Sequence, residues 1–128
     1  MNQGRIKVLV IVDDAEKREW IVCCLEKAGY YPTIGATSEE GIKKFRQDGP
    51  QVIIMNYDPE QPLIRAFTAE INKDVTILVL GPDDEKMEFE AFDQGADTYL
   101  KKDATPKEVV ARLKILLRSS PRRRVKVE

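Results

Sequence analysis

Asp13 and Asp14 stand side by side at the end of one apolar run, and Lys102 stands at the end of another. Two adjacent carboxylates can bind a hard divalent cation such as magnesium through oxygen ligands. They can equally divide into a helix cap and a solvated side chain, because aspartate is a frequent N-cap. An ammonium near them is either a phosphate ligand or a salt-bridge partner. The chain has no histidine, which excludes imidazole-dependent triads and metal centres. Its two cysteines, Cys23 and Cys24, are adjacent, a spacing that suits a reduced chain better than a disulfide. The turn after the first run reads Asp13-Asp14-Ala15-Glu16, with no glycine-rich loop to cradle the phosphates of a nucleotide or flavin.

These residues need elements to position them. The chain has 128 residues, 42% hydrophobic and 34% charged, enough for one domain with a real core. Ile6–Val12, Val52–Met55 and Val75–Leu80 are short, β-branched and nearly continuous. Such runs suit strands buried on both faces. Tyr31–Ala36 and Thr98–Lys101 are weaker strand candidates.

Helical patterns lie between the runs. Trp20, Ile21, Cys24, Leu25 and Ala28 form one apolar stripe, stopped by Gly29. Thr37-Ser38-Glu39-Glu40 reads as a capping box ahead of Ile42 and Phe45. Pro62 opens a third helix carrying Leu63, Phe67 and Ile71, and Met87, Ala91 and Phe92 mark a fourth. Thr105-Pro106-Lys107-Glu108 joins an N-cap, a first-turn proline and a capping-box glutamate, with Val109, Leu113, Leu116 and Leu117 behind it. Strand and helix alternate five times. That predicts a doubly wound α/β sheet with helices on both faces, whose chemistry sits at the carboxyl ends of the strands. Asp13, Asp14, Asn56, Gly81 and Lys102 all fall there.

Net charge is −1, but it is unevenly spread. From Arg118 onward the chain is basic, with Arg122, Arg123, Arg124 and Lys126 against Glu128, so the body before it is acidic. The expected division is one domain over residues 1–118 and a basic linker or tail over 119–128. Such a tail offers weak, salt-sensitive and sequence-blind affinity for nucleic acid, not specific recognition. No apolar run follows a basic start, so a cytoplasmic chain without signal peptide or membrane span is expected.

VLVIVDD at 8–14, QVIIMNYDP at 51–59, ILVLGPDDE at 77–85 and AFDQGADTYLKKDATPKEVVARLKILLR at 91–118 together resemble the CheY-like receiver domain of response regulators in two-component signalling. The last stretch is most similar to the winged-helix, OmpR/PhoB-type transcription-factor branch. The resemblance spans about residues 5–118. It implies a flavodoxin-like (βα)5 parallel sheet of order 2-1-3-4-5. It also assigns roles: Asp13 and Asp14 as the acidic pair that holds magnesium, Lys102 as the lysine that contacts the phosphoryl group, and Tyr99 as the aromatic switch position.

The chain departs from this pattern at four places. The phosphoacceptor aspartate falls on Asn56, and an amide is not the carboxylate nucleophile that phosphoryl transfer needs. The switch serine or threonine falls on Gly81, which has no side chain. The proline after the lysine falls on Asp103. A cis bond before a non-proline residue costs roughly 2.5–4 kcal/mol, so a trans peptide is expected. The segment from Asn56 to Gly81 is short, so the third helix should be short or displaced.

A pseudo-receiver is therefore expected: a non-enzymatic module that binds protein partners without aspartyl phosphorylation, in transcription regulation. The alternative is phosphorylation at Asp58 or another displaced carboxylate, such as Asp13 or Asp14. Asp58 lies two residues past Asn56, which moves a side chain roughly 6–7 Å along an extended chain. In the altered crevice Lys102 is expected to pair with Asp13 or Asp14, with Asn56 adding hydrogen bonds. No cofactor is expected, and magnesium at Asp13 and Asp14 is expected to bind weakly if at all. With no hydroxyl at position 81, Tyr99 is expected to be an amphipathic surface tyrosine. The resemblance makes the helix 4, strand 5 and helix 5 face the surface for a protein partner or for self-association. There Asp97 and Arg112 would form one charge pair between copies, and Glu90 would face Glu108. The family also places an output domain beyond such a linker.

Overall fold

The computed structural model describes residues 4–60, 63–70 and 75–119. Pro62, Ile71 and the basic tail from 120 onward lie outside the described residues. The strands are β1 (Lys7–Ile11), β2 (Tyr31–Ile34), β3 (Val52–Asn56), β4 (Thr76–Gly81) and β5 (Thr98–Lys101). The helices are α1 (Ala15–Lys27), α2 (Ser38–Asp48), α3 (Leu63–Glu70), α4 (Glu85–Gln94) and α5 (Pro106–Ser119). The strands form one parallel sheet in the order β2-β1-β3-β4-β5. This is the doubly wound sheet expected from the alternation of apolar runs, in the flavodoxin-like order that the resemblance implies. β2 ends at Ile34, two residues earlier than expected, because the chain bends at Ala36 and Thr37 into α2. α5 runs to Ser119, one residue past the expected boundary of the domain.

The period of two in a strand sorts the core into two layers. Leu9, Ile11, Ile53, Met55, Ile77 and Val79 point to one face, under Phe45 of α2, Ile64 and Phe67 of α3 and Ala91 of α4. Val8, Val10, Val52, Ile54, Leu78 and Leu80 point to the other, under Ile21 and Leu25 of α1 and Val109 and Leu113 of α5. Phe45 and Phe67 meet with ring centroids 4.8 Å apart, a tilted pair that joins α2 to α3. Gly41 lets α2 lie directly on β1, since a Cβ there would come within 2.5 Å of Ile11 Cδ1. α3 has eight residues and is the shortest helix, as the short segment between β3 and β4 requires.

The expected caps form. Thr105 Oγ1 accepts from the Glu108 N–H at 3.2 Å, and Glu108 Oε1 accepts from the Thr105 N–H at 2.8 Å. Two members of the expected apolar stripes are not in the core. Trp20 is 56% exposed and Phe92 42% exposed. Each sits beside a smaller or better-placed neighbour, Ile21 and Ala91, that takes the inward direction. One residue along a helix turns a side chain by about 100°, so a stripe read too wide gathers flank positions. Both cysteines are free. No helix among the described residues is long and apolar enough to cross a membrane.

Candidate functional site

β1 and β3 are neighbours, and their outgoing connections lead to opposite faces of the sheet. A crevice opens at such a switch point. Asp13 and Asp14 leave β1 on one side of it and Asn56 ends β3 on the other. The Asp13 N–H donates to Asn56 Oδ1 at 2.8 Å. Because the donor is a backbone N–H, the amide must present its oxygen there. The oxygen of Asn56 therefore ties the ends of β1 and β3 together.

Asp14 is the N-cap of α1, with Oδ1 accepting from the Glu16 and Lys17 N–H groups at 3.0 and 3.2 Å. Of the two readings of this pair, the capping one describes Asp14. Among the described residues no three acidic, cysteine or histidine side chains gather as metal ligands. The donor set is thus two exposed aspartates, one engaged as a cap, and an amide oxygen already accepting a hydrogen bond. That set does not fit a tightly held magnesium ion.

The expected ion pair of Lys102 with Asp13 or Asp14 is not formed. All three residues are exposed, and an exposed pair is worth only about 0–1 kcal/mol against the entropy of holding two long side chains. Lys102 is fixed through its backbone instead. Its N–H donates to the Gly81 carbonyl at 2.8 Å, and its own carbonyl accepts from Lys17 Nζ. Arg18 Nη1 donates to the Val12 carbonyl at 2.7 Å. Two cations of α1 therefore cover carbonyl groups at the strand ends. The Lys102–Asp103 peptide is trans, as expected. Asp58 is exposed and folds back on its own loop, with Oδ1 accepting from the Glu60 N–H at 2.9 Å.

Tyr99 corrects the sequence reading. It is 8% exposed, not a surface side chain, and its hydroxyl donates to the Pro82 carbonyl at 2.7 Å. Gly81 makes this position available. A Cβ at residue 81 would lie 2.2 Å from the Tyr99 hydroxyl oxygen. The missing side chain is the space that the phenol fills. Burial, and then the negative charges of Asp84 and Glu88, push the Tyr99 phenol up to about 12.

Tyr57 is a site residue that the sequence reading missed. It is 9% exposed, its hydroxyl donates to Glu90 Oε1 at 2.9 Å, and its ring stands edge-on to Tyr99 with centroids 6.5 Å apart. Burial raises its pKa first, followed by the hydrogen bond and charge of Glu90. Strand parity was the signal that finds it: residue 57 continues the face of Ile53 and Met55.

The four residues expected at the partner face all have partners within the chain. Glu90 accepts from Tyr57, and Glu108 caps α5. Asp97 Oδ2 accepts from the Ile77 N–H at 2.8 Å, and Arg112 Nη1 donates to Thr98 Oγ1 at 3.1 Å. A groove of about 570 Å³ runs between α4, β5 and α5. Its acidic walls are Asp83, Glu88, Asp103 and Glu108, its basic ones Lys101, paired with Asp83 at 3.4 Å, and Arg112, and Tyr99 and Ile115 give it apolar surface. Glu88, not Glu90, is the α4 carboxylate that shares this groove with Glu108.

No protein-family model matches the chain. It is 32% identical over 119 residues to a probable transcriptional regulator, ycf27, of Guillardia theta, covering 88% of this chain and 45% of that protein. It is 25% identical over 118 residues to the phosphate regulon transcriptional regulatory protein PhoB of Escherichia coli strain K12, covering 88% of this chain and 52% of PhoB. The chain spans about half the length of the curated relatives it matches. A two-component response regulator from Clostridium difficile superimposes with a TM-score of 0.82 at 20% identity, over 91% of this chain and 99% of that one.

Proposed function

We infer that this chain, a CheY-like response-regulator receiver domain related to the PhoB-type regulators, works without aspartyl phosphorylation, by binding a protein partner. The observation that carries this reading is Asn56. It stands at the end of β3, where the resemblance puts the phosphoacceptor, and its side-chain oxygen is committed to the Asp13 N–H. An amide cannot form the acyl phosphate, and the two carboxylates beside it lack the third that would complete a magnesium site.

The rest of the crevice supports the same reading. In the related family a hydroxyl at position 81 would follow the phosphoryl group and the aromatic at position 99 would turn in response. Here residue 81 is glycine, and Tyr99 is held inside by its bond to Pro82. The inward position needs no phosphoryl group. It leaves the α4, β5 and α5 groove formed in the resting chain, and this groove is the proposed face for a partner or for a second copy. The relatives, about twice as long, suggest transcription control through an output domain carried beyond the linker. The domain itself performs no catalysis in this reading.

The test is intact mass spectrometry after incubation with acetyl phosphate and magnesium, run in parallel on Asp58→Ala. No adduct is the expected result. An added phosphoryl mass that disappears in Asp58→Ala would transfer the chemistry to Asp58. One that survives the substitution would point to Asp13 or Asp14. Either adduct overturns the reading.

A further inference from the structure

α4 is unlike the other helices in how it is held. α1 sinks Ile21 and Leu25 into the core, α2 sinks Phe45, α3 Ile64 and Phe67, and α5 Val109 and Leu113. In α4 the only buried residue is Ala91, with Met87 partly buried beside it. Stabilisation from burial scales with apolar area, so α4 is the helix with the weakest apolar anchor. Two tyrosine hydroxyls add to this anchor. Tyr99 reaches the Pro82 carbonyl, in the loop that leads into α4. Tyr57 reaches Glu90, in the middle of the helix, and Gln94 one turn later has its amide nitrogen 3.5 Å from the same hydroxyl.

We propose that the Tyr57–Glu90 hydrogen bond is a latch that holds α4 against the sheet and thereby sets the shape of the α4, β5 and α5 face. The latch starts at the crevice, because Tyr57 directly follows Asn56, whose side chain binds the end of β1. Tyr57 is also fixed through its backbone, its N–H donating to the Leu80 carbonyl at 2.8 Å. A change at the crevice therefore has a short path to the partner face that involves no phosphoryl group: Asn56, Tyr57, Glu90, α4. Tyr57 and Glu90 act as positioning residues in this path. An exposed ion pair, Arg65–Asp93 at 3.7 Å, also joins α3 to α4, but both side chains are solvated and it contributes little.

The proposal rests on the reading that this face is the working one, and it is tested by a different quantity. Amide hydrogen exchange is followed residue by residue in the wild type, Tyr57→Phe, Glu90→Ala and Glu90→Gln. Loss of a partly buried hydrogen bond to a carboxylate should speed exchange in α4 and at Asp83 and Asp84 by about tenfold in Tyr57→Phe and Glu90→Ala, with β1 and α5 unchanged. Glu90→Gln keeps an acceptor and should stay near the wild type. Asp93→Asn, which weakens the exposed pair, should also match the wild type. Equal α4 exchange in wild type and Tyr57→Phe would overturn the latch. So would a rise shared equally by β1 and α5, which is the mark of general destabilisation. A phosphoryl adduct in the mass experiment would sink the phosphorylation-independent reading but leave these exchange rates as they are.

Discussion

Glycine at position 81 and tyrosine at position 99 are best understood as one unit. Neither is informative alone, because a glycine at a strand end and an aromatic on a short strand are both common. Together they make a phenol buried where a side chain would otherwise stand, with its hydroxyl donating a hydrogen bond to the Pro82 carbonyl. This has a consequence for pH. The Tyr99 phenol ionises near 10 when unfolded and at about 12 when folded, so folding favours its neutral form. Its contribution to stability is complete below pH 10 and is lost as pH rises from about 10 to 12. Tyr99→Phe should therefore flatten the fall in thermal stability over that interval, as followed by circular dichroism. At neutral pH the same variant should cost about 1 kcal/mol, for the hydrogen bond to Pro82. The sequence put Tyr99 at the surface because nothing in residue types reports on a space left empty eighteen residues earlier. The place of Asn56, by contrast, was legible: the apolar run before it put it at a strand end, and it ends β3.

At the scale of elements, most of the architecture was visible in advance. β-branched runs bounded by polar residues located the strands, and the capping box at Thr105 located the start of α5. What the sequence hid was which flank residues turn inward. Trp20 and Cys24 share a helical stripe on paper, yet Trp20 faces outward, beside Thr105 and Pro106 in a cavity of about 300 Å³. Position in the stripe decides this, not hydrophobicity, since Ile21 already fills the inward direction. The Lys102 ion pair failed for a related reason. Periodicity places a side chain on an edge of the sheet but does not say whether water or a neighbour will hold it. The caps carry a measurable share of stability. Thr105→Ala removes the oxygen that accepts from the Glu108 N–H and should destabilise the fold by about 1 kcal/mol, measured as a lower urea midpoint with an unchanged slope.

On the scale of the whole molecule, α4 is the weakly held part of the cover over the sheet. α1, α2, α3 and α5 close on large side chains, whereas α4 closes with an alanine. Phe89, on the outer side of α4, is 70% exposed. A large aromatic left in water on a weakly anchored helix, next to a groove lined by both signs of charge, has the character of an interface anchor. Phe89→Ser should leave the melting temperature within the range of a neutral surface change, about ±0.5 kcal/mol in stability. It should weaken partner capture or self-association, as measured by sedimentation velocity or pull-down against the wild type. The groove beside it carries four carboxylates, Asp83, Glu88, Asp103 and Glu108, against Lys101 and Arg112, so its net charge is negative and favours a partner surface with a basic patch.

The filled space at Gly81 also bears on how this chain can change over generations. In the phosphorylation-independent reading proposed above, phosphoryl switching would need a carboxylate at 56 and a hydroxyl at 81, and neither step is neutral alone. Serine at 81 places a Cβ inside the Tyr99 phenol and must first evict it, an overpacking cost of about 1–3 kcal/mol. Aspartate at 56 adds a third negative charge beside Asp13 and Asp14 before any switch exists to use it. The steric cost at 81 falls on the folded state before any hydroxyl there has a phosphoryl group to follow. The phenol in the glycine's space thus works as a wedge: a side chain at position 81 has room only after Tyr99 has turned out.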